Sequence, residues 1–341
     1  MKTGVLLINT GTPDAPTLDA VRAYLHDFLS DPAIIGAPEF IRKRIVNHAC
    51  KHRPLRTVEH YKGFWTDAGS PFMLTSIKQC ERLGIELKAR VVEPTQVVLS
   101  MRYGNPSIAA GLQQLRESGC EHVILLPLYP QNVNVCAGTC LKEAHECLER
   151  LAQEGWKPQV SEVKSFHSNE HYRHALASSV RKAWEYVPGS KLLVSFHSTM
   201  LADIKKDDTY LVQCTQTKDW LVEELGLDPA DAILCFQSRF DSRKWLSPFT
   251  EQTLIKLQKQ GVNNVCIICP GFVADNIETM IEVNADLRGK FCAPKIPGHA
   301  GQTDDRAVVN AMQKMDFTYV PALNTSAGLI HALADEVCKL L

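Results

Sequence analysis

A chain of 341 residues with 45% hydrophobic content has enough apolar material for a substantial core and is long enough for two domains. Its formal net charge of −1 excludes the strongly basic balance of a nucleic-acid-binding protein. The 12 cysteines sit mostly inside apolar strand or helix patterns, where a thiol behaves as a small hydrophobe, so no disulfide framework is expected.

Met1-Lys2-Thr3 runs directly into an apolar strand rather than a signal sequence, and no apolar run approaches the ~18 residues of a membrane span. A soluble, cytoplasmic protein is expected. Strand-like apolar runs fall at 4–9, 96–102, 123–128, 159–166, 191–197, 232–237, 264–269 and 317–321. Each gives way to helix-like periodicity, as at Val21, Tyr24, Leu25 and Phe28 after the first. Strands alternating with helices predict parallel sheets covered on both faces. Before Gly69, residues 33–56 interleave basic side chains, among them Arg44, Lys51, Arg53 and Arg56, with isoleucine and phenylalanine. That run is too short, in too neutral a chain, to predict a nucleic-acid partner.

The strands form two rounds of four that match in kind. Leu6-Leu-Ile-Asn-Thr-Gly11 stands against Leu192-Leu-Val-Ser-Phe-His197, and Leu126-Pro-Leu-Tyr-Pro130 against Ile268-Cys-Pro-Gly-Phe272. The expected fold class is α/β, with two similar Rossmann-like domains, each a four-stranded parallel sheet flanked by helices. The domains are placed at 1–167 and 168–322, and the last helix, about 323–341, is a candidate to return to the first.

Residues 191–200 form an apolar run that stops on a single histidine, His197, with small polar residues after it. In open α/β sheets ligands bind outside the carboxyl ends of the strands, so a titratable group delivered there is a site candidate. A lone histidine in such a pattern is nevertheless more commonly an ordinary core residue. A second strand ends at Pro270-Gly271, and the pattern beyond it reads as a helix with Asp275, Glu278 and Glu282 on one face at i, i+3 and i+7. Three aligned carboxylates repel one another. An imidazole facing such a row can accept protons, hold a divalent ion or pass one inward.

These residues stand within a longer set. Asn9-Thr-Gly-Thr-Pro-Asp-Ala-Pro16, Tyr24-Leu-His-Asp-Phe-Leu-Ser-Asp-Pro32, Gly69-Ser-Pro71, Met101-Arg-Tyr-Gly-Asn-Pro-Ser107, Leu126-Pro-Leu-Tyr-Pro-Gln131, Ser195-Phe-His197, Phe236-Gln-Ser-Arg-Phe240, Trp245-Leu-Ser-Pro248 and Cys269-Pro-Gly-Phe-Val-Ala-Asp275 with Glu278-Thr279 resemble ferrochelatase. This is the enzyme family that inserts ferrous iron into a porphyrin, and the match runs in order from residue 4 to about 325. The resemblance implies a chelatase-type fold of two α/β domains, with His197 and Glu278 as the metal-contacting and proton-handling pair. Asp275 and Glu282 are implied as acidic metal-binding residues flanking that glutamate. Met101, Arg102, Tyr103, Tyr129, Ser238, Trp245 and Phe272 are implied to line the porphyrin pocket, with Arg53 or a neighbour pairing with a propionate. Residues 33–56 would form an apolar lip able to touch a membrane surface peripherally.

The implied substrates are ferrous iron and a porphyrin, protoporphyrin IX first among them, and no further cofactor is expected. Relatives that carry a [2Fe–2S] cluster hold it on four cysteines. Here the tail offers only Cys338, Cys266 and Cys269 point to opposite faces of a strand, and Cys136, Cys140 and Cys147 have no identified fourth partner. Ser198-Thr-Met200 stands where relatives carry Gly, a branched aliphatic residue and Pro, which is expected to loosen the turn after the histidine. Asn132-Val-Asn-Val-Cys136 likewise departs from the family pattern. A chelatase for another metal, an enzyme removing iron from haem and a porphyrin carrier share this outline, and the oligomeric state is left open.

Overall fold

The computed structural model describes residues 1–239, 243–292 and 315–341, apart from the side chains of Arg53 and Arg56. The chain divides into two compact units, one of Met1–Ala175, Gly271–Ile277 and Leu323–Leu341, the other of Leu176–Pro270 and Glu278–Ala322. Each holds one four-stranded sheet, and every strand pairing in both is parallel.

In the first unit β1 (Thr3–Asn9) lies between β2 (Thr95–Met101) and β3 (His122–Pro127), and β4 (Gln159–Glu162) gives the order β2-β1-β3-β4. The second unit repeats it. There β5 (Lys191–His197) lies between β6 (Ala232–Gln237) and β7 (Asn264–Ile268), with β8 (Asp316–Val320) outside β7. Both sheets are Rossmann-like and flanked by helices, as the alternation of strand and helix patterns predicts. Helices on both faces explain why the central strands are continuous apolar runs: β1 is buried along its length, and β5 from Leu192 to Phe196.

Six of the helices matter below: α1 (Leu18–Ser30), α2 (Glu39–Phe64), α3 (Pro71–Arg90), α4 (Thr139–Gln153), α5 (Thr209–Leu225) and α6 (Ala327–Cys338). Local signals set their starts. The Thr17 hydroxyl accepts from the Ala20 amide at the head of α1, proline opens α3, and the Ser326 hydroxyl accepts from the Leu329 amide at the head of α6. On α2, Val46, Cys50, Val58 and Tyr61 pack toward α1, while Phe40, Ile41, Ile45 and Leu55 remain exposed. Among the described residues no helix is long and apolar enough to cross a membrane.

The first unit is assembled from three stretches of chain, and α3 joins them. Gln79 Nε2 donates to the carbonyls of Val273 at 3.1 Å and Asn324 at 2.7 Å, and Arg90 pairs with Asp335 of α6 at 2.6 Å.

The carboxyl end of β1 is a close backbone crossing. The Arg102 amide donates to the Asn9 carbonyl at 2.8 Å and the Tyr103 amide to that of Thr10 at 2.9 Å. Gly11 follows at φ +110°, and a Cβ there would lie 1.8 Å from the Tyr103 carbonyl oxygen. Neither the conformation nor the space accepts a side chain. Gly11→Ala is therefore expected to cost at least about 3 kcal/mol of stability. A urea midpoint unchanged from wild type would show that the backbone can move aside.

Candidate active site

In the second unit, burial of β5 stops at His197, whose side chain is 22% exposed. It pairs in register with Gln237 at the end of β6. His197 Nδ1–H donates to the Ser198 carbonyl at 2.6 Å, a contact that assigns the tautomer and puts the lone pair on Nε2. The backbone is fixed as well: Tyr210, on α5, donates its hydroxyl to the His197 carbonyl at 2.8 Å.

The turn after His197 differs from the loosened one expected. The Ser198 amide donates to the Gln237 carbonyl at 2.7 Å, and its hydroxyl to the Leu246 carbonyl at 2.8 Å. The Leu246 amide donates to the Thr199 carbonyl, that of Leu201 to the Lys244 carbonyl, both at 2.9 Å, and Met200 pairs with Trp245 as an antiparallel bridge. The stiffness that proline would give through φ is supplied here by hydrogen bonds. The same ladder anchors Trp245, which is 9% exposed.

The carboxylate row is also rearranged. Rather than one α-helix carrying all three acids, a π-helical segment spans Glu278–Leu287. Asp275 lies before it, in the stretch that belongs to the first unit. There its amide donates to Asn324 Oδ1 at 2.9 Å while Asn324 Nδ2 donates to Asp275 Oδ2 at 2.8 Å. The i, i+3, i+7 spacing presumed α-helical geometry, and the wider π turn, with its i→i+5 bonding, replaces it. Glu278 and Glu282 are still brought together, because the Ser238 hydroxyl lies 2.9 Å from Glu278 Oε2 and 3.2 Å from Glu282 Oε2. Glu278 Oε2 in turn stands 3.9 Å from His197 Nε2. Among the described residues no set of three or more His, Cys, Asp and Glu side chains is placed to hold a metal ion together, so the four expected metal-binding residues do not form one cluster.

The first unit holds most of the other sequence candidates. Met101 is fully buried, packed with Phe72 and Ala274. Tyr129 packs in the core with Cys140 and Leu125, and its hydroxyl meets that of Thr10 at 2.5 Å. Burial drives the Tyr129 hydroxyl well above its ordinary pKa and does the same for Tyr103. Both phenols therefore stay protonated across the physiological range.

Arg102 is already engaged, since Nη2 meets Asp31 Oδ2 at 2.5 Å, Glu143 lies 3.9 Å away, and the guanidinium sits 4.5 Å from the Tyr103 ring centre. The Tyr103 hydroxyl donates to the same Asp31 oxygen at 2.9 Å. Burial works against the Arg102 charge, but Tyr103, Asp31 and Glu143 outweigh it and its pKa is raised. Phe272 is half-buried, and the side chain of Arg53 lies outside the described residues.

Asp31 and Asn324 were not picked out as partners from the sequence. Asp31 carries a faint signal, an acid at the C-cap of α1 directly before Pro32. Asn324 carries none, because it meets Asp275 only through the fold, 49 residues away.

Comparison with known proteins gives one consistent result. A family model described as Ferrochelatase matches residues 2–297. A protein named ferrochelatase from Thioalkalivibrio sulfidiphilus is 38% identical over 338 residues, covering 98% of this chain and 86% of that protein. One of the same name from Bordetella pertussis is 38% identical over 342 residues, covering 100% and 88%. One named ferrochelatase 2 from Shewanella oneidensis is 35% identical over 338 residues, covering 98% and 97%. Among solved structures, SirB from Bacillus subtilis with Fe3+ aligns with a TM-score of 0.56 at 12% identity, over 99% of this chain and 95% of that one, a likeness of fold.

Proposed function

We propose, for a chain that belongs to the ferrochelatase family and is therefore an enzyme that inserts ferrous iron into a porphyrin, that His197 and Glu278 carry the chemistry. The observation behind this reading is the 3.9 Å approach of His197 Nε2 to Glu278 Oε2. A free porphyrin sheds two pyrrole protons as the metal enters, so the site needs a base and a metal ligand that lets go. With Nδ1–H occupied by the Ser198 carbonyl, His197 offers the Nε2 lone pair to each leaving proton in turn, releasing the first to solvent by way of the Glu278 carboxylate before it takes the second. The imidazolium so formed is stabilised by the carboxylate opposite. While Nε2 is unprotonated, one imidazole and one carboxylate would make a weak, open coordination, and protonation of Nε2 would release the imidazole from the ion, which suits transfer better than storage.

In the same reading Glu282 and Asp275 are further acids available to the metal, and protoporphyrin IX is the porphyrin. Met101, Arg102, Tyr103, Tyr129, Trp245 and Phe272 are the candidates to support or touch it. His197→Ala and Glu278→Gln should each leave less than about a tenth of wild-type turnover with ferrous iron, about 1.4 kcal/mol of barrier, with circular dichroism unchanged. Assays run with protoporphyrin and, separately, coproporphyrin decide the macrocycle. Turnover of either variant above that level removes the residue from the chemistry.

The reading assigns no [2Fe–2S] cluster. Cys140 and Cys147 are packed into the first unit's core, where they serve as small hydrophobes, and Cys136 packs against the same cluster. Such buried thiols suit the reducing cytoplasm, the compartment we assign. Purified protein should contain no acid-labile sulfide; a stoichiometric amount would overturn the assignment.

We also infer peripheral membrane contact through α2, where Phe40 is 70% and Leu55 64% exposed beside the exposed Arg44 and Lys51. The protein is expected to sediment with anionic vesicles, and Phe40→Ser with Leu55→Ser should abolish this. Equal sedimentation of the variant would place the contact elsewhere.

A further inference from the structure

Ser238 directly follows β6, one residue beyond the partner of His197, and its backbone is left-handed at φ +57°. A residue with a Cβ disfavours that conformation, whereas glycine adopts it at no steric cost. If the chain needed only a turn here, glycine would serve better. What serine adds is a hydroxyl, and that hydroxyl lies 2.9 Å from Glu278 Oε2 and 3.2 Å from Glu282 Oε2.

A second position repeats the pattern. Among the described residues the only other non-glycine with positive φ is Asn324, at +48°. It too spends its side chain on an acid of the carboxylate row, in the paired contact with Asp275. Left-handed backbone with a polar side chain thus occurs at both places where an acid of this row is held.

We propose that Ser238 is a positioning residue for iron insertion, its hydroxyl holding the carboxylates of Glu278 and Glu282 as a pair of fixed geometry rather than binding the porphyrin. Two carboxylates one helical turn apart repel, and a donor shared between them offsets that repulsion. Glu282 is exposed and Glu278 half-buried, so the pair spans from solvent toward His197. Without the hydroxyl the two acids splay, and a divalent cation loses a preformed pair of ligands. The inference rests on Glu278 acting on the metal.

The test compares Ser238→Gly and Ser238→Ala with Glu278→Gln in steady-state assays that vary ferrous iron and protoporphyrin separately. Ser238→Gly should melt at or above the wild-type temperature, because the strained turn is relieved, yet both serine variants should raise the KM for iron about tenfold. The KM for the porphyrin should stay within about twofold. Wild-type kinetics in Ser238→Gly would reduce Ser238 to a turn residue, and a change confined to the porphyrin KM would make it a ring contact; either overturns the inference. The underlying site reading fails separately: near-wild-type turnover of Glu278→Gln would sink both, whereas an inactive Glu278→Gln beside unaffected serine variants sinks only this one.

Discussion

A parallel sheet covered on both faces leaves its strands one place for polar chemistry, the carboxyl end. The second unit is organised by that constraint. Along β5 every residue from Leu192 to Phe196 is buried, so His197 is the first position on the strand where an imidazole can reach anything but core. The sheet is also what makes the position rigid. The His197 carbonyl is held by Tyr210, the residue after it by Gln237, and the turn beyond by the ladder to 244–246. If His197 is the base, as proposed, it benefits from having no freedom in its backbone when it meets a flat macrocycle.

The two units treat charge differently. In the first, Arg102, Tyr103 and Asp31 form a compensated group in which one carboxylate oxygen serves both a guanidinium and a phenol. Such a group is stable because it is paired, and removal of any member leaves a buried partner without its complement. In the second, the Ser238 hydroxyl and the His197 imidazole both face Glu278, and the same hydroxyl reaches Glu282.

Much of this was legible in the sequence, and what was not has identifiable causes. The eight strands and the doubled order could be read because buried parallel strands are apolar runs with polar ends. His197 could be read for the same reason. The row of acids was read as one α-helix because apolar and acidic spacing does not distinguish α from π geometry, and the π-helical start at Glu278 separates Asp275 from the other two. The turn at 198–200 was misjudged because its stiffness comes from partners 39 to 48 residues away, which no local pattern records. Arg102 was implied by the family resemblance to line the porphyrin pocket, but its engagement by Asp31 depends on a contact 71 residues apart in the chain.

Along the chain, the second unit comes as two segments set within the first, since residues 271–277 and 323–341 belong with the amino-terminal sheet. Made from its amino terminus, the chain emerges with α3 already in hand while Gln79 and Arg90 have no Asn324 or Asp335 to meet until the last residues appear. The apolar side of α6, with Leu329, Leu333 and Val337, is likewise made only after the second unit's residues. The unit that begins first during translation is therefore closed last, and shortening the protein from its carboxyl end strikes the amino-terminal half.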